Sequence, residues 1–217
     1  MFALREEERL TAQAKNELIE QGYITAPDSA RGRLLQAAAK LFKHKGFDRT
    51  TVRDLAREIG IQSGSLFHHF KNKEQILKAV MEESILFNTH RMKLALEGVE
   101  SGEAALLVLI QCELEAVNGV TGDAMNVLVD EWRALSEDAQ NDILKLRDVY
   151  ESIWLTHLTT AFEQNKLVGD PLLMRRLVLG SISWTHNWFR KGGELSIEQL
   201  AQQILKTLIR SKTGESK

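Results

Sequence analysis

The chain has 217 residues, 43% hydrophobic and 27% charged, a balance that excludes a disordered polymer, a collagen-like repeat and a protein of several membrane spans. Its longest uncharged apolar stretch, Leu177–Phe189, is thirteen residues long and includes Ser, Thr, His and Asn. A spanning helix needs roughly 20 apolar residues. The one cysteine, Cys112, cannot form an internal disulfide, and the start MFALREEERL is charged where a signal peptide is apolar, so a cytoplasmic protein with no membrane partner is expected.

The net charge of −2 conceals an asymmetry. Residues 1–29 carry a net of −3 and residues 74–217 a net of −6, whereas residues 30–73 carry ten Lys/Arg against Asp48, Asp54 and Glu58, a net of +7. Charge runs are commonly solvated helix faces, but a basic block between two acidic ones points to a polyanion partner for that block alone.

Only two prolines, Pro27 and Pro171, punctuate the chain, and the apolar residues recur at three and four rather than alternating, so an all-α protein of about nine helices is predicted. Residues 4–20 have few apolar positions (Leu4, Leu10, Leu18) and read as a mobile arm or a marginal helix. Asp28 or Ser29 caps a helix to about Lys45, which Gly46 ends. Thr50 or Thr51 caps TVRDLAREIG, Gly60 breaks it, and QSGSLFHHF follows within two residues. Two short helices joined by a tight glycine turn form a helix-turn-helix. The second presents Gln62, Ser63, Ser65, Phe67 and His68, short or polar side chains suited to base edges in the major groove. Lys71 and Lys73, at the start of the next helix, suit phosphates, and Arg31, Thr51 and Arg53 complete the candidate DNA contacts.

The run AAAKLFKHKGFDRTTVRDLAREIG followed by GIQSGSLFHHFKNKEQIL resembles the DNA-binding domain of TetR-family transcriptional regulators over residues 31–80. Phe67 and His68 stand where many members carry Tyr, so a phenol hydroxyl is missing at 67. The resemblance implies a homodimeric repressor that binds a double-stranded DNA operator and whose C-terminal helices take a small effector. It divides the chain into an N-terminal arm (1–28), a helix-turn-helix domain (29–73), a ligand-binding and dimerisation domain (74–212) and a disordered tail (213–217).

Beyond Lys73, helices are expected over 73–98, 103–118, 122–135, 137–166, 170–190 and 196–211. The last two are read as apolar on more than one face, either as central core or as a dimer surface, and the family resemblance favours a homodimer through residues 170–211. Trp132, Trp154, Trp184 and Trp188 are either core or the walls of a largely apolar pocket. The candidate ligand-binding residues are Met125, Val129, Trp132, Arg133, Arg147, Tyr150, Trp154 and His186, with His157 a further polar candidate. An inward Arg147 needs an anionic ligand or a carboxylate, and Asp148 and Glu151 are its nearest partners in sequence. DEWRALS, LRDVYESIW and NWFRKGGELSIEQLA are similar to TetR regulators of fatty-acid and sterol catabolism, which implies an acyl-CoA or another lipophilic effector.

No motif supports catalysis, a cofactor or a metal site. His68 and His69 point about 100° apart on a helix. Cys112 lies in an apolar helix beside Glu113 and Glu115 and is expected to be structural. The alternative to a regulator is a helical small-molecule binder without sequence-specific DNA function, against which the +7 segment argues.

Overall fold

With so little proline, helices run until a cap or a glycine stops them. The computed structural model describes residues 2–100 and 102–210, with side chains from residue 7 on. Among these it forms nine α-helices: α1 (Phe2–Glu20), α2 (Ala30–Lys45), α3 (Val52–Glu58), α4 (Lys73–Leu96), α5 (Glu103–Asn118), α6 (Gly122–Asp130), α7 (Glu137–Glu163), α8 (Pro171–Ser183) and α9 (Ile197–Leu208). Three short 3-10 turns, Ser63–His68, Trp132–Ala134 and Trp184–Asn187, complete the regular structure. No single helix among the described residues is long and apolar enough to cross a membrane. The predicted tail 213–217 lies outside the described residues.

Contacts divide the chain into two units, residues 1–90 with 123–147, and 91–122 with 148–217. Helices α4 and α7 each contribute to both.

In the first unit, Ser29 caps α2 by accepting from Gly32 N at 2.9 Å, and Lys43, His44 and Lys45 stand in its last turn, where cations favour the dipole. Leu34, Ala38 and Phe42, spaced by four, are buried along its inner face. The N-terminal arm is a helix rather than a loose segment. Ala14 and Leu18 of α1 are buried one turn apart, and Glu17 between them bonds His90 Nε2 at 2.6 Å. Gln13 donates to Glu17 at 2.9 Å and, with His90, holds that carboxyl below its usual range. The segment that follows is tied to α4 by Thr25, which donates from both backbone N–H and hydroxyl to Glu83 at 3.0 and 2.7 Å.

In the second unit, α5 packs against α8 and α9. Asp170 caps α8, with Pro171 in its first turn, and Ser196 and Gln199 form a reciprocal capping box on α9. The backbone at 166–168 pairs with the end of α9, Val168 N donating to Leu208 O at 2.8 Å and Arg210 N to Lys166 O at 2.7 Å. The two last helices differ from each other. Helix α8 and the turn after it expose Leu172, Leu173, Leu177, Trp184 and Trp188. On α9, Leu200, Ala201, Leu205 and Leu208 are buried and Gln202, Gln203, Lys206 and Thr207 face out, so its outer face is polar rather than apolar. The predicted helices 122–135 and 170–190 each end earlier, in a 3-10 turn at Trp132 and Trp184, and after the second the rings of Trp184, His186 and Trp188 crowd into five residues.

Candidate nucleic-acid interface

The helix-turn-helix is built by local signals. Thr51 Oγ1 accepts from Asp54 N at 3.1 Å while Asp54 Oδ2 accepts from Thr51 N at 2.9 Å, a capping box that starts α3. Lys45 at 2.5 Å and Arg57 at 2.6 Å also reach the Asp54 carboxylate. Lys45, then the Thr51 backbone and hydroxyl, hold that carboxyl well below the usual carboxylate range. Gly60 turns the chain at φ +71°, a conformation in which a Cβ is strained, and Ile61 N donates back to Ala56 O at 3.0 Å.

The second short element, Ser63–His68, is a 3-10 helix, with Ser65 N donating to Gln62 O at 2.9 Å and His69 N to Leu66 O at 3.0 Å. Ser63, Gly64 and Ser65 are weak α-formers, and six residues are too few to repay α-nucleation. Leu66 anchors this element, fully buried, and Phe70 closes it. Outward stand Gln62, Phe67 and His68, with Phe67 55% exposed, while Ser63 and Ser65 are half-buried. Asn72 then caps α4, its side-chain oxygen accepting from Gln75 N at 2.8 Å.

The ten candidate contacts separate by what their polar groups already do. Thr51, Arg53, Gln62, Phe67, His68 and Lys71 are exposed. Arg31 is half-buried, its guanidinium 4.2 Å from the Phe70 ring centroid, bonded to Thr25 Oγ1 at 3.0 Å and paired with Glu83. Lys73 donates to the carbonyls of Phe47 at 2.7 Å and Thr50 at 3.0 Å, and its ammonium lies 4.0 Å from the Phe47 ring centroid. Its charge clamps the turn between α2 and α3. The other side of that turn is held by Glu131, which accepts from Phe47 N at 3.0 Å. Glu74 accepts from Ser136 N at 2.8 Å and Lys78 pairs with Asp142 at 2.8 Å, extending the frame. Neither Lys73 nor Glu131 is legible as a clamp, because the partners are backbone groups far along the chain. Arg49 and His69, outside the predicted set, are also exposed.

The eight candidate ligand residues fall in both units. In the first, Met125 is buried, Val129 and Arg133 are exposed, and half-buried Trp132 stacks with Arg147, whose guanidinium is 5.6 Å from the ring centroid. In the second, Tyr150 and Trp154 are buried, while His186 is exposed, its Nδ1 2.6 Å from Ser183 O. Of the tryptophans, only Trp154 is fully buried, and Trp184 and Trp188 are surface groups. Around Trp154 lies an ion cluster the sequence gives no sign of. Arg175, 2% exposed, donates to Glu151 at 2.8 and 2.9 Å and to Glu113 at 3.3 Å, its guanidinium 4.5 Å from the Trp154 ring centroid. Burial works against its charge, but Glu113 and Glu151 outweigh it and raise the guanidinium pKa. Burial, then the Glu113 carboxylate, pushes the Tyr150 phenol well above its ordinary value. Cys112 is buried, and its carbonyl accepts from Arg91 at 2.7 Å. No group of three His, Cys, Asp or Glu among the described residues is placed to hold a metal ion.

Residues 34–80 match the family model of bacterial regulatory proteins of the tetR family, and residues 100–211 match the tetracyclin repressor-like C-terminal domain. The HTH-type transcriptional repressor KstR2 of Mycolicibacterium smegmatis is 32% identical over 182 residues, which span 82% of this chain and 88% of that protein. Among solved structures, superantigen pfit is 48% identical with a TM-score of 0.79, covering 93% of this chain and 100% of that one. The ketosteroid transcriptional regulator KstR2 of Mycobacterium tuberculosis is 26% identical with a TM-score of 0.76, covering 87% and 100%.

Proposed function

Because the chain belongs to the tetR family of bacterial regulatory proteins, we propose that it works as a homodimeric repressor released from its operator by a lipophilic effector. The observation that carries the DNA half is the reading element itself. Gln62, Phe67 and His68 point outward from a segment anchored by Leu66 beneath, while Lys73 and Glu131 clamp the turn that precedes α3. A rigid frame with open polar tips suits direct readout of base edges, and Arg53 and Lys71 add charge for phosphates. The +7 balance of residues 30–73 supplies the electrostatic attraction.

Support for the dimer comes from Leu173, Leu177, Trp184 and Trp188, about half exposed or more on α8 and the turn that follows it. So much apolar surface on adjacent turns marks an interface rather than a solvated face. Helix α9, with its polar outer face, contributes less than the sequence suggested. An acyl-CoA is the effector class implied by the resemblance, and the name of the M. tuberculosis relative, a ketosteroid regulator, adds ring lipids to it.

The test is fluorescence anisotropy with duplex DNA from the protein's own upstream region, titrated with salt and repeated with oleoyl-CoA and a steroid ketone. Tight, sequence-dependent binding lost on adding either lipid is expected. Binding that ignores sequence would refute the operator reading. In sedimentation, Leu177→Glu is expected to shift the protein from dimer to monomer, and an unchanged dimer would move the interface elsewhere.

A further inference from the structure

We propose that Tyr150, Trp154 and Arg175 form a reading site for an uncharged carbonyl oxygen of the effector, a proposal that rests on the effector reading above. Tyr150 and Trp154 stand one turn apart on α7, 6% and 0% exposed, and Arg175 of α8 lies against the Trp154 ring. Trp154 Nε1 and Arg175 Nη1 come to the interior with no hydrogen-bond partner among the described residues, and Tyr150 Oη, beside the Glu113 carboxylate, makes no well-formed hydrogen bond to it. Folded proteins leave few such atoms, and a cluster of them calls for a cause.

The chemistry of the three fixes the class of ligand. Indole Nε1 and guanidinium Nη1 only donate, and the phenol donates readily, so what is missing is an acceptor. Charge decides which acceptor. Arg175 is already matched with two carboxylates, Glu151 and the 1% exposed Glu113. A ligand carboxylate would add a third negative charge to a buried group that already carries one in excess. A ketone or thioester carbonyl offers lone pairs without that charge, and the Trp154 indole gives its carbon skeleton a flat apolar wall.

A groove opens on the neighbouring row of α7. An open groove of about 390 Å³ is lined there by Ile153, Thr156 and His157 together with Lys93, Leu96 and Glu97 at the end of α4. His157, three residues beyond Trp154, has a buried Nδ1 that also lacks a partner, and desolvation lowers its pKa, which favours the neutral ring. The polar stripe Tyr150, Trp154 and His157 therefore runs from the interior to the lip of the groove, about 10 Å along the helix.

The experiment uses the full-length protein, two variants and two probes, androstenedione as a neutral diketone and lithocholate as a steroid carboxylate. Without ligand, Tyr150→Phe is expected to keep or raise the thermal midpoint, since it removes a donor that makes no well-formed hydrogen bond. A midpoint lower by several degrees would mean the hydroxyl is already satisfied, by ordered water for instance, and would overturn the site. By calorimetry, androstenedione should bind more tightly than lithocholate, and Tyr150→Phe and Trp154→Phe should each weaken it about three- to tenfold, the worth of one hydrogen bond. Equal affinity in wild type and both variants, tighter binding of the carboxylate, or no binding of either probe overturns the proposal. Anisotropy with operator DNA separates this from the effector reading. Donor-dependent binding that never releases DNA sinks the effector reading and keeps the site, whereas release with Tyr150→Phe indistinguishable from wild type does the reverse.

Discussion

The helix-turn-helix and the interior where α5, α7 and α8 meet use charge in opposite ways. In the first, cations are set at the ends of local structure. Lys73 donates to two carbonyls of one turn, Lys45 and Arg57 flank a capping carboxylate, and Arg53 and Lys71 remain exposed. In the second, a guanidinium and the Glu113 carboxylate are taken out of water together, with the Glu151 carboxylate partly exposed at the edge, and donors are left over. The difference is one of purpose. A DNA-reading surface needs a stiff frame and open tips, and partly exposed ion pairs stiffen a frame at little desolvation cost. A buried cluster costs more than it returns in stability unless something else requires it.

The largest test of this contrast is Arg175→Met. It leaves Glu113 without its cation in a low-dielectric interior, and removing one partner of a buried pair costs about 3–5 kcal/mol. Urea unfolding should show a loss of that order. A change below about 1 kcal/mol would put the interior cluster on the same footing as the exposed pairs and end the distinction. Next is Lys73→Ala, which removes two charge-assisted hydrogen bonds and a cation–π contact and is expected to cost about 2 kcal/mol. Its effect on DNA comes through the position of the turn. Affinity should fall while the salt slope of binding stays that of wild type, and a shallower slope would restore a phosphate contact for Lys73.

A smaller effect is expected at the start of α3. Thr51→Ala removes the cap and should cost about 1 kcal/mol. Asp54, the other half of the box, has its pKa depressed in the folded protein, first by Lys45 and then by Thr51. A depressed carboxyl stabilises the fold above its unfolded value near 4 and loses that contribution as pH falls toward the folded one. Wild type should therefore exceed Asp54→Asn in stability at pH 7, with the gap narrowing below about pH 4. A gap that is constant from pH 7 to pH 2 would show that the carboxylate's charge is not what matters.

How much of this was legible follows from the range of each interaction. Ser29, Gly46, Thr51 with Asp54, Gly60 and Asn72 all act within four residues, so the helix-turn-helix is legible from the sequence alone. The reading element's 3-10 form escapes because helical spacing over six residues does not separate 3.0 from 3.6 residues per turn. Lys73 looks like any lysine at a helix start, because its acceptors are backbone carbonyls 26 and 23 residues away. Arg175 finds Glu113 across 62 residues and Glu151 across 24, where neighbouring Asp148 and Glu151 had suggested partners for Arg147 instead. Trp184 and Trp188 read as core or pocket walls by residue type, yet the helix stops at Ser183 and turns them outward. Composition names the residues fit for a site, but not the side they face.

The smallest expected change in stability carries the sharpest comparison of the two lysines that open α4. Lys71 is exposed and its side chain makes no hydrogen bond or ion pair among the described residues, so Lys71→Ala should alter stability by less than about 0.5 kcal/mol. If its ammonium neutralises a phosphate, the variant binds DNA with a salt slope reduced by about 0.9, the counterions released at one contact. The loss should be the same on every duplex, because phosphates carry no sequence. If Gln62 reads base edges, Gln62→Ala, changed in parallel, should keep the slope and narrow the preference for the operator over other duplexes. Stability lost with an unchanged slope marks a frame residue, a reduced slope at unchanged stability marks a phosphate contact, and lost discrimination marks a reader. If Lys71→Ala behaved like Lys73→Ala, the division of this region into frame and open tips would be wrong at the point where the two meet.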